Sequence, residues 1–191
     1  GRYSVKSGTS MATPHAAGAI ALLRQYKLLE SGTNLTAAQA ESALRSTGKN
    51  ITDTRNNVVI PRIDVYAALL SLDTSMPVIS IVAPTPANAT RTNATSLLMN
   101  ISASESLGNA FLEWDNGTKT NYTMNRTGDG TAAFFNQSLS NGTYAYKFYA
   151  SDLAGNSAST AARTVTVDTS VPQISVSSTA NGSLLGNTNI S

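Results

Sequence analysis

The sequence predicts a multi-domain fragment with a helical region at residues 1–72, an all-β sandwich at residues 73–168 and the truncated start of a second sandwich at residues 169–191. Apolar residues recur at helical spacing in the first region, whereas short alternating strands separated by turns follow it. A nine-residue segment also recurs with an offset of 95 residues, close to the length of one sandwich domain. The three observations together predict a helical segment joined to tandem β-sandwiches.

The composition excludes several functional classes. The 13 basic and 11 acidic residues give a net charge of only +2 and are scattered without runs, so neither a nucleic-acid interface nor a membrane-surface patch is predicted. The absence of cysteine excludes disulfides, thiolate metal sites and a cysteine nucleophile. The longest nearly apolar run, residues 16–23, is too short to span a bilayer. Because the chain starts at Gly1 without a leader and ends at Ser191 within a predicted strand, we expect a piece of a longer protein.

The first predicted element is a long helix that begins near Ser10. Apolar residues at 16–23 cover all of its sides, which predicts a buried helix. Pro14 lies in the first turn, where the missing N–H costs little. Polar residues at 24–27 precede a predicted end before Gly32. This helix is therefore expected to be buried.

Two shorter helices are predicted after it. Thr36 is expected to cap the second helix, residues 37–47, with Gln39 at the capping-box position. Residues 50–60 form a loop or a short hairpin, and residues 64–72 form a third helix with an apolar stripe.

A serine stands at the start of the long helix, in the segment Gly8-Thr9-Ser10-Met11-Ala12-Thr13-Pro14-His15-Ala16-Ala17-Gly18. The N–H groups and the partial positive charge of a helix N-terminus would stabilise a tetrahedral oxyanion that forms beside Ser10. A Gly-Thr-Ser turn is also a common way to cap a helix, so a capping serine is the alternative.

This segment resembles the serine motif of the subtilisin-like serine proteases, the subtilases, at every defining position: Gly-Thr-Ser-Met-Ala-x-Pro-His-x-x-Gly. The resemblance favours a nucleophile over a cap. It implies that Ser10 is the catalytic serine, that the Ser10 backbone N–H donates to the oxyanion, and that Gly8 and Met11 border the substrate cleft. It covers about residues 1–72, as the C-terminal helices of an α/β catalytic domain, but it is specific only over residues 8–18.

His15 is the only histidine of the chain and therefore the first candidate for the general base. Five residues rotate it about 140° around the helix from Ser10, whereas a base must lie within about 3 Å of the hydroxyl. We therefore expect His15 to be a packed helix residue. In subtilases the triad Asp and His and the oxyanion Asn precede the serine, so the resemblance places them before Gly1 and implies that this piece alone is inactive. It implies no cofactor in this chain, and calcium is an option only for the missing part of the catalytic domain.

The second region has the pattern of an immunoglobulin-like sandwich. The segment beginning Asp73-Thr74-Ser75 recurs from Asp168, and strands are predicted at residues 97–103, 111–114, 120–124, 133–135, 144–150 and 163–167. The segment Leu139-x-x-Gly142-x-Tyr144 resembles a tyrosine corner. The Pro-x-Ile strand opening and the Asp-x-x-Gly-Asn turn resemble the tandem immunoglobulin-like repeats of prokaryotic surface and secreted proteins. Trp114 and the tyrosines are interpreted as core residues rather than a carbohydrate platform, and Asp152 as a turn residue rather than a calcium ligand at a hinge.

Asparagine sequons of the form Asn-x-Ser/Thr are frequent. They begin at Asn34, Asn50, Asn88, Asn93, Asn100, Asn116, Asn121, Asn125, Asn136, Asn141, Asn181 and Asn189. Some follow from an Asn- and Thr-rich composition, but their density fits an exported, glycosylated surface.

The sequence therefore predicts part of an extracellular or cell-surface serine endopeptidase that acts on proteins or peptides. The sandwich would be a spacer, a substrate-docking module or an anchor to cell wall, S-layer or surface glycans. The alternative is a surface adhesion or structural protein that carries an inactive subtilase-like domain. An intact Asp, His and Asn set upstream would distinguish the enzyme from this alternative.

Overall fold

A computed structural model of the chain describes residues 6–175, and most of the predicted second sandwich, together with the sequons at Asn181 and Asn189, lies outside them. The first region holds the helices α1 (Thr9–Ser31), α2 (Ala37–Thr47) and α3 (Val65–Leu72), with the hairpin strands β1 (Lys49–Thr52) and β2 (Val59–Arg62) between the last two. Within the described part of the chain, no helix is long and apolar enough to cross a membrane.

The helix ends follow from local side-chain chemistry, as the sequence predicted. Thr36 and Gln39 form a complete capping box, in which the Gln39 N–H donates to Thr36 Oγ1 and the Thr36 N–H donates to Gln39 Oε1. The Asp64 carboxylate caps α3 by accepting the Ala67 N–H at 3.0 Å. Gly32, with φ of 68°, ends α1 in the left-handed conformation that glycine adopts without strain.

The three helices pack around a small core of alanine and leucine. Its buried members are Ala19, Leu23, Leu35, Ala40, Ala43, Leu44 and Ala68. The prediction of a buried α1 is wrong for the described residues, since only Ala19 and Leu23 of this helix are buried and Leu29 is 78% exposed. The reason is that α2 and α3 cover only one side of α1, and the apolar residues on its other sides have no partner within residues 6–175.

The sandwich consists of ten strands. They are β3 (Ile79–Val82), β4 (Thr90–Thr92), β5 (Ser96–Ala103), β6 (Leu107–Asp115), β7 (Lys119–Thr123), β8 (Asn125–Arg126), β9 (Ala132–Ser138), β10 (Gly142–Asp152), β11 (Ser157–Ser159) and β12 (Arg163–Val167). One sheet has the order β3-β5-β9-β8; the other has the order β4-β12-β10-β6-β7, with β11 beside β10. The β12–β4 pair is parallel and the other described pairs are antiparallel.

Aromatic side chains fill the space between the two sheets. Along β10, Tyr144, Tyr146 and Phe148 occupy alternate positions and are all buried. The Trp114 ring on β6 lies 5.0 Å from the ring centroid of Tyr144 and 5.8 Å from that of Tyr146. Such offset contacts between rings add to the free energy gained by burying them. The interpretation of Trp114 as a core residue is therefore confirmed.

Two predicted local motifs are present in the sandwich. The Tyr144 hydroxyl donates to the carbonyl oxygen of Ser140 at 2.9 Å, which is the hydrogen bond of a tyrosine corner. The buried Asp152 carboxylate accepts the N–H groups of Gly155 and Asn156 at 2.7 and 2.9 Å. Asp152 therefore holds the turn between β10 and β11, as predicted.

A hydrogen-bond network joins α1 to the start of the sandwich. Oε1 of Glu30 accepts the hydroxyls of Thr74 and Ser75 at 2.9 and 3.0 Å, while Lys27 Nζ donates to Oε2 at 2.6 Å. The Glu30 side chain is only 9% exposed. The hydrogen bond from Lys27, followed by those from Thr74 and Ser75, lowers the pKa of Glu30 to about 2. The charged form of Glu30 thus holds the linker against the helix.

The segment that begins at Asp168 repeats the sequence of the linker that begins at Asp73, and its threonine makes a similar contact. Asn141 Oδ1 accepts both the N–H and the hydroxyl of Thr169, at 2.8 and 2.6 Å, and Asn141 Nδ2 donates to Ser170 Oγ. Asp73 and Asp168, which open the two linkers, each accept the N–H two residues on. The Asp-Thr-Ser repeat is therefore a turn whose threonine binds a side chain of the preceding domain.

The Glu30 network predicts a loss of stability in acid. A carboxyl group with a depressed pKa in the folded state stabilises that state above its unfolded pKa, and this contribution disappears as the pH falls from about 4.5 to about 2. We expect Glu30→Gln to lower the free energy of unfolding at pH 7 by about 1–2 kcal/mol, a range that allows for solvent screening of the Lys27–Glu30 pair. At pH 2 the substitution is expected to change this free energy little. Urea unfolding followed by helical circular dichroism measures both values. Glu41→Gln, which removes an exposed partner of Arg45, is the matched control, and a loss of equal size in that variant would contradict the prediction.

Candidate functional site

Ser10 is the second residue of α1 and is exposed. The helix begins after Gly8, whose φ of 140° and ψ of 167° disfavour any residue with a side chain, and no side chain among the described residues caps the helix. The first N–H groups bonded to the helix backbone are those of Met11 and Ala12, both to the Gly8 carbonyl oxygen, at 3.0 and 3.3 Å. The Ser10 N–H precedes them and has no partner within residues 6–175. The hydroxyl and the N–H of one residue are thus both available at a helix N-terminus.

The surroundings of Ser10 are open. A Cβ on Gly8 would meet no atom of residues 6–175 within 4 Å, whereas its positive φ by itself favours glycine there. Met11, the next residue along the helix, has an exposed side chain. Gly8 and Met11 therefore flank Ser10, and their assignment to a substrate cleft stays a prediction.

His15 does not serve Ser10. Its Nδ1 donates to the carbonyl oxygen of Met11 at 2.8 Å, which holds the ring against the backbone of its own helix. The expectation that His15 is packed is wrong for the described residues, because the side chain is exposed on a side of α1 that neither α2 nor α3 covers. His15 is the single histidine of the sequence, so residues 1–191 provide no imidazole base for Ser10.

Three carboxylates meet where the helical region joins the sandwich. Oxygen atoms of Asp73, Glu105 and Asp152 lie within 4.8 Å of one another, and these are the described groups that could hold a cation. Burial raises the pKa of Glu105, and the charges of Asp73 and Asp152 raise it further. Asn156 Nδ2 donates to the Asp73 carbonyl oxygen and to Asp152 Oδ2, at 3.2 and 2.9 Å. Of these three carboxylates only Asp152 was considered as a calcium ligand from the sequence, because Asp73 and Glu105 lie far from it along the chain.

Two family models match the chain. Residues 1–62 match the model of the subtilase family, and residues 83–169 match that of a bacterial Ig-like domain. No curated protein matches. Residues that match the subtilase family therefore precede residues that match a bacterial Ig-like domain, which confirms the order predicted from the serine motif and from the strand pattern.

Solved structures resemble about half of the chain. CopC from Methylosinus trichosporium OB3b is 14% identical with a TM-score of 0.39, and the match covers 47% of this chain and 93% of CopC. The fibronectin(III)-like modules of Clostridium thermocellum CbhA are 14% identical with a TM-score of 0.31, with the same two coverages. An engineered protein is 20% identical with a TM-score of 0.39, and the match covers 48% of this chain but only 20% of that protein.

Proposed function

We propose that this chain, part of a subtilase followed by a bacterial Ig-like domain, supplies the nucleophile of a secreted serine endopeptidase. Ser10 Oγ attacks the carbonyl carbon of a peptide bond, and the hydroxyl proton passes to a histidine of the same protein outside residues 1–191. The amine product leaves with that proton, and water then releases the acyl group from Ser10. The chain's own residues take part in this reaction without a cofactor.

The observation that carries the proposal is the position of Ser10 within the subtilase match. Its hydroxyl and its N–H, which has no partner among residues 6–175, lie together at the N-terminus of a 23-residue helix. Negative charge that develops on the substrate oxygen would meet this N–H and the positive end of the helix dipole. Both groups favour the tetrahedral intermediate over the flat ground state, and such differential binding is what accelerates a reaction.

The exposed apolar residues of α1 support the presence of further catalytic-domain residues in the complete protein. Leu22, Leu28 and Leu29 of this helix are all exposed. The helix also carries alanines on every side, so apolar residues occur all round it. In an α/β domain, a helix of this kind is covered by a parallel sheet. We propose that this missing part brings the triad Asp and His and the oxyanion Asn to Ser10, together with any calcium that the catalytic domain binds.

The sandwich is proposed to stand outside the cell and to hold the catalytic domain at a distance from a surface. Glu30 accepts hydrogen bonds from Thr74 and Ser75 in the linker, so the linker between α3 and the sandwich is fixed to α1 and is not a free flexible segment. This favours a spacer or an anchor to cell wall, S-layer or surface glycans, although a tied sandwich is also able to present protein substrates to the cleft.

A fluorophosphonate probe tests the proposal, because it reacts only with an activated serine. We expect the complete protein to be labelled at Ser10, and the isolated 191-residue chain to remain unlabelled because His15 cannot take the proton. Mass spectrometry of the Ser10 peptide measures both. Rapid stoichiometric labelling of the isolated chain would contradict the geometry of His15. An unlabelled complete protein would favour the surface adhesion or structural protein with an inactive subtilase-like domain.

A further inference from the structure

Sequons are more frequent in this chain than its composition explains. The sequence contains 17 asparagines, of which 12 stand two residues before serine or threonine. Serine and threonine together make up 48 of the 191 residues, about a quarter of the chain. By chance, therefore, only roughly 4 of the 17 asparagines would have serine or threonine two positions later. The excess points to acceptor sites for N-linked sugars, and the structure shows which of them are favourably placed.

Asn136 is one of three sequon asparagines beside Phe134, since Asn100 on β5 and Asn125 on β8 both pair with Phe134. It lies on β9 with its side chain exposed on the outer face of the four-stranded sheet. Phe134, two residues earlier, shares this face because side chains alternate along a strand. Leu98 is the direct partner of Asn136 on β5. Phe134 and Leu98 are each 40% exposed, so two large apolar side chains flank the acceptor amide in the open.

A sugar attached to Asn136 would cover these two side chains. One face of a pyranose ring is made of C–H groups, and it packs on an aromatic ring by removing apolar area of both from water. The inner face offers no alternative position for Asn136, since the neighbouring residue Phe135 packs there against the sandwich core. The amide therefore projects to the side on which Phe134 is exposed.

We propose that Asn136 is an N-glycosylation site and that its first sugar packs on Phe134 and Leu98. The inference rests on the proposed export of the protein, because such modification takes place on exported chains. The donor is an oligosaccharide linked to a polyisoprenyl phosphate carrier. The Asn136 Nδ2–C1 bond forms, the C1–O bond to the carrier phosphate breaks, the phosphate leaves with the electron pair, and Nδ2 loses one proton. Ser138 completes the sequon.

Asn100 is an internal control on the same face of the sheet. It pairs with Phe134 across β5 and β9, so it has the same aromatic neighbour. However, Asn100 is half-buried, its Nδ2 donates to the carbonyl oxygen of Ala83 at 3.4 Å, and its Oδ1 is buried without a partner in the described residues. A sugar on Nδ2 would break this arrangement, so Asn100 stays unmodified in the folded protein.

Peptide mapping tests the occupancy of these sites. The protein is isolated separately from the cells and from the surface or medium of the producing organism, digested, and analysed by mass spectrometry. We expect the Asn136 peptide of the exported protein to carry a sugar and the Asn100 peptide to be bare. An exported protein with a bare Asn136 would overturn the inference and leave the proposed function standing. A protein found only inside the cells, with a bare Asn136, would overturn both.

A double-mutant comparison in the same organism tests the packing on Phe134. We expect Asn136→Gln to lower the Tm of the sandwich by about 3 °C in the natural sequence and by less than about 1 °C beside Phe134→Ser. Asn121→Gln is the matched control. Asn121 is an exposed sequon asparagine, but the residue two positions before it is Lys119, whereas Phe134 stands two positions before Asn136. An equal loss from Asn136→Gln with and without Phe134 would show that the sugar does not pack on the ring.

Discussion

Replacing Ser10 by alanine in the complete protein should lower kcat by about 10⁶-fold, the loss that removal of the serine causes in a subtilase triad. The Oγ atom forms the bond to the substrate carbonyl, so no acyl-enzyme can be made without it. The backbone N–H of residue 10 and the helix dipole remain in the variant, and they leave a residual rate above that in water. Hydrolysis of a fluorescently labelled unfolded protein, measured at several substrate concentrations, gives kcat and KM.

Ser7→Ala is the matched control for the loss of activity. Ser7 is exposed and lies in the same approach to α1, but it precedes Gly8 and has no place in the proposed chemistry. We expect its kcat to stay within a few-fold of the natural value. If Ser10→Ala retained full proteolytic activity, the assignment of the nucleophile and the proposed function would both fail.

Replacing Phe148 by alanine should lower the free energy of unfolding of the sandwich by about 3–5 kcal/mol. The ring is 0% exposed and meets the Tyr146 ring edge-on, with the centroids 5.9 Å apart. Without the ring, the free energy gained by burying its apolar surface is lost. A cavity also remains, because the two sheets cannot move together to fill it. Urea unfolding of the 191-residue chain is followed by the fluorescence of Trp114, the only tryptophan, which lies in the same core.

Phe111→Ala is the matched control for the core substitution. Phe111 lies on β6 opposite Tyr149 of β10, and 37% of its surface is exposed. Since its ring is partly in water already, we expect a loss below about 1 kcal/mol. Equal losses for Phe148 and Phe111 would show that the core does not lie between the two sheets as described.

Short-range features of this chain could be predicted from the sequence because they depend on neighbouring residues. The capping box of Thr36 and Gln39 and the end of α1 at Gly32 involve atoms within four residues of one another. The tyrosine corner at Tyr144 and the turn at Asp152 are equally local. The short strands β4, β8 and β11 were not predicted, since two or three residues carry no recognisable alternation and form strands only beside longer partners.

Burial and long-range clusters could not be predicted in the same way. The apolar pattern of α1 predicts that other residues cover this helix. Within the described residues, however, Leu29 and His15 of α1 are exposed. The contact between Glu30 and Thr74 joins positions 44 residues apart. The meeting of Asp73, Glu105 and Asp152 spans almost the whole sandwich. No spacing along the chain signals such contacts.

From the sequence alone we could predict the serine motif at a helix start, the change from helices to strands near residue 72, and the aromatic core. These follow from steric and hydrogen-bonding preferences that act within one turn or one strand. The tertiary structure was needed to show that Glu30 holds Thr74, that Asp73, Glu105 and Asp152 meet, and that Leu98 lies opposite Asn136. Those outcomes depend on which elements pack side by side, and the interactions that select the packing act between residues far apart in the chain.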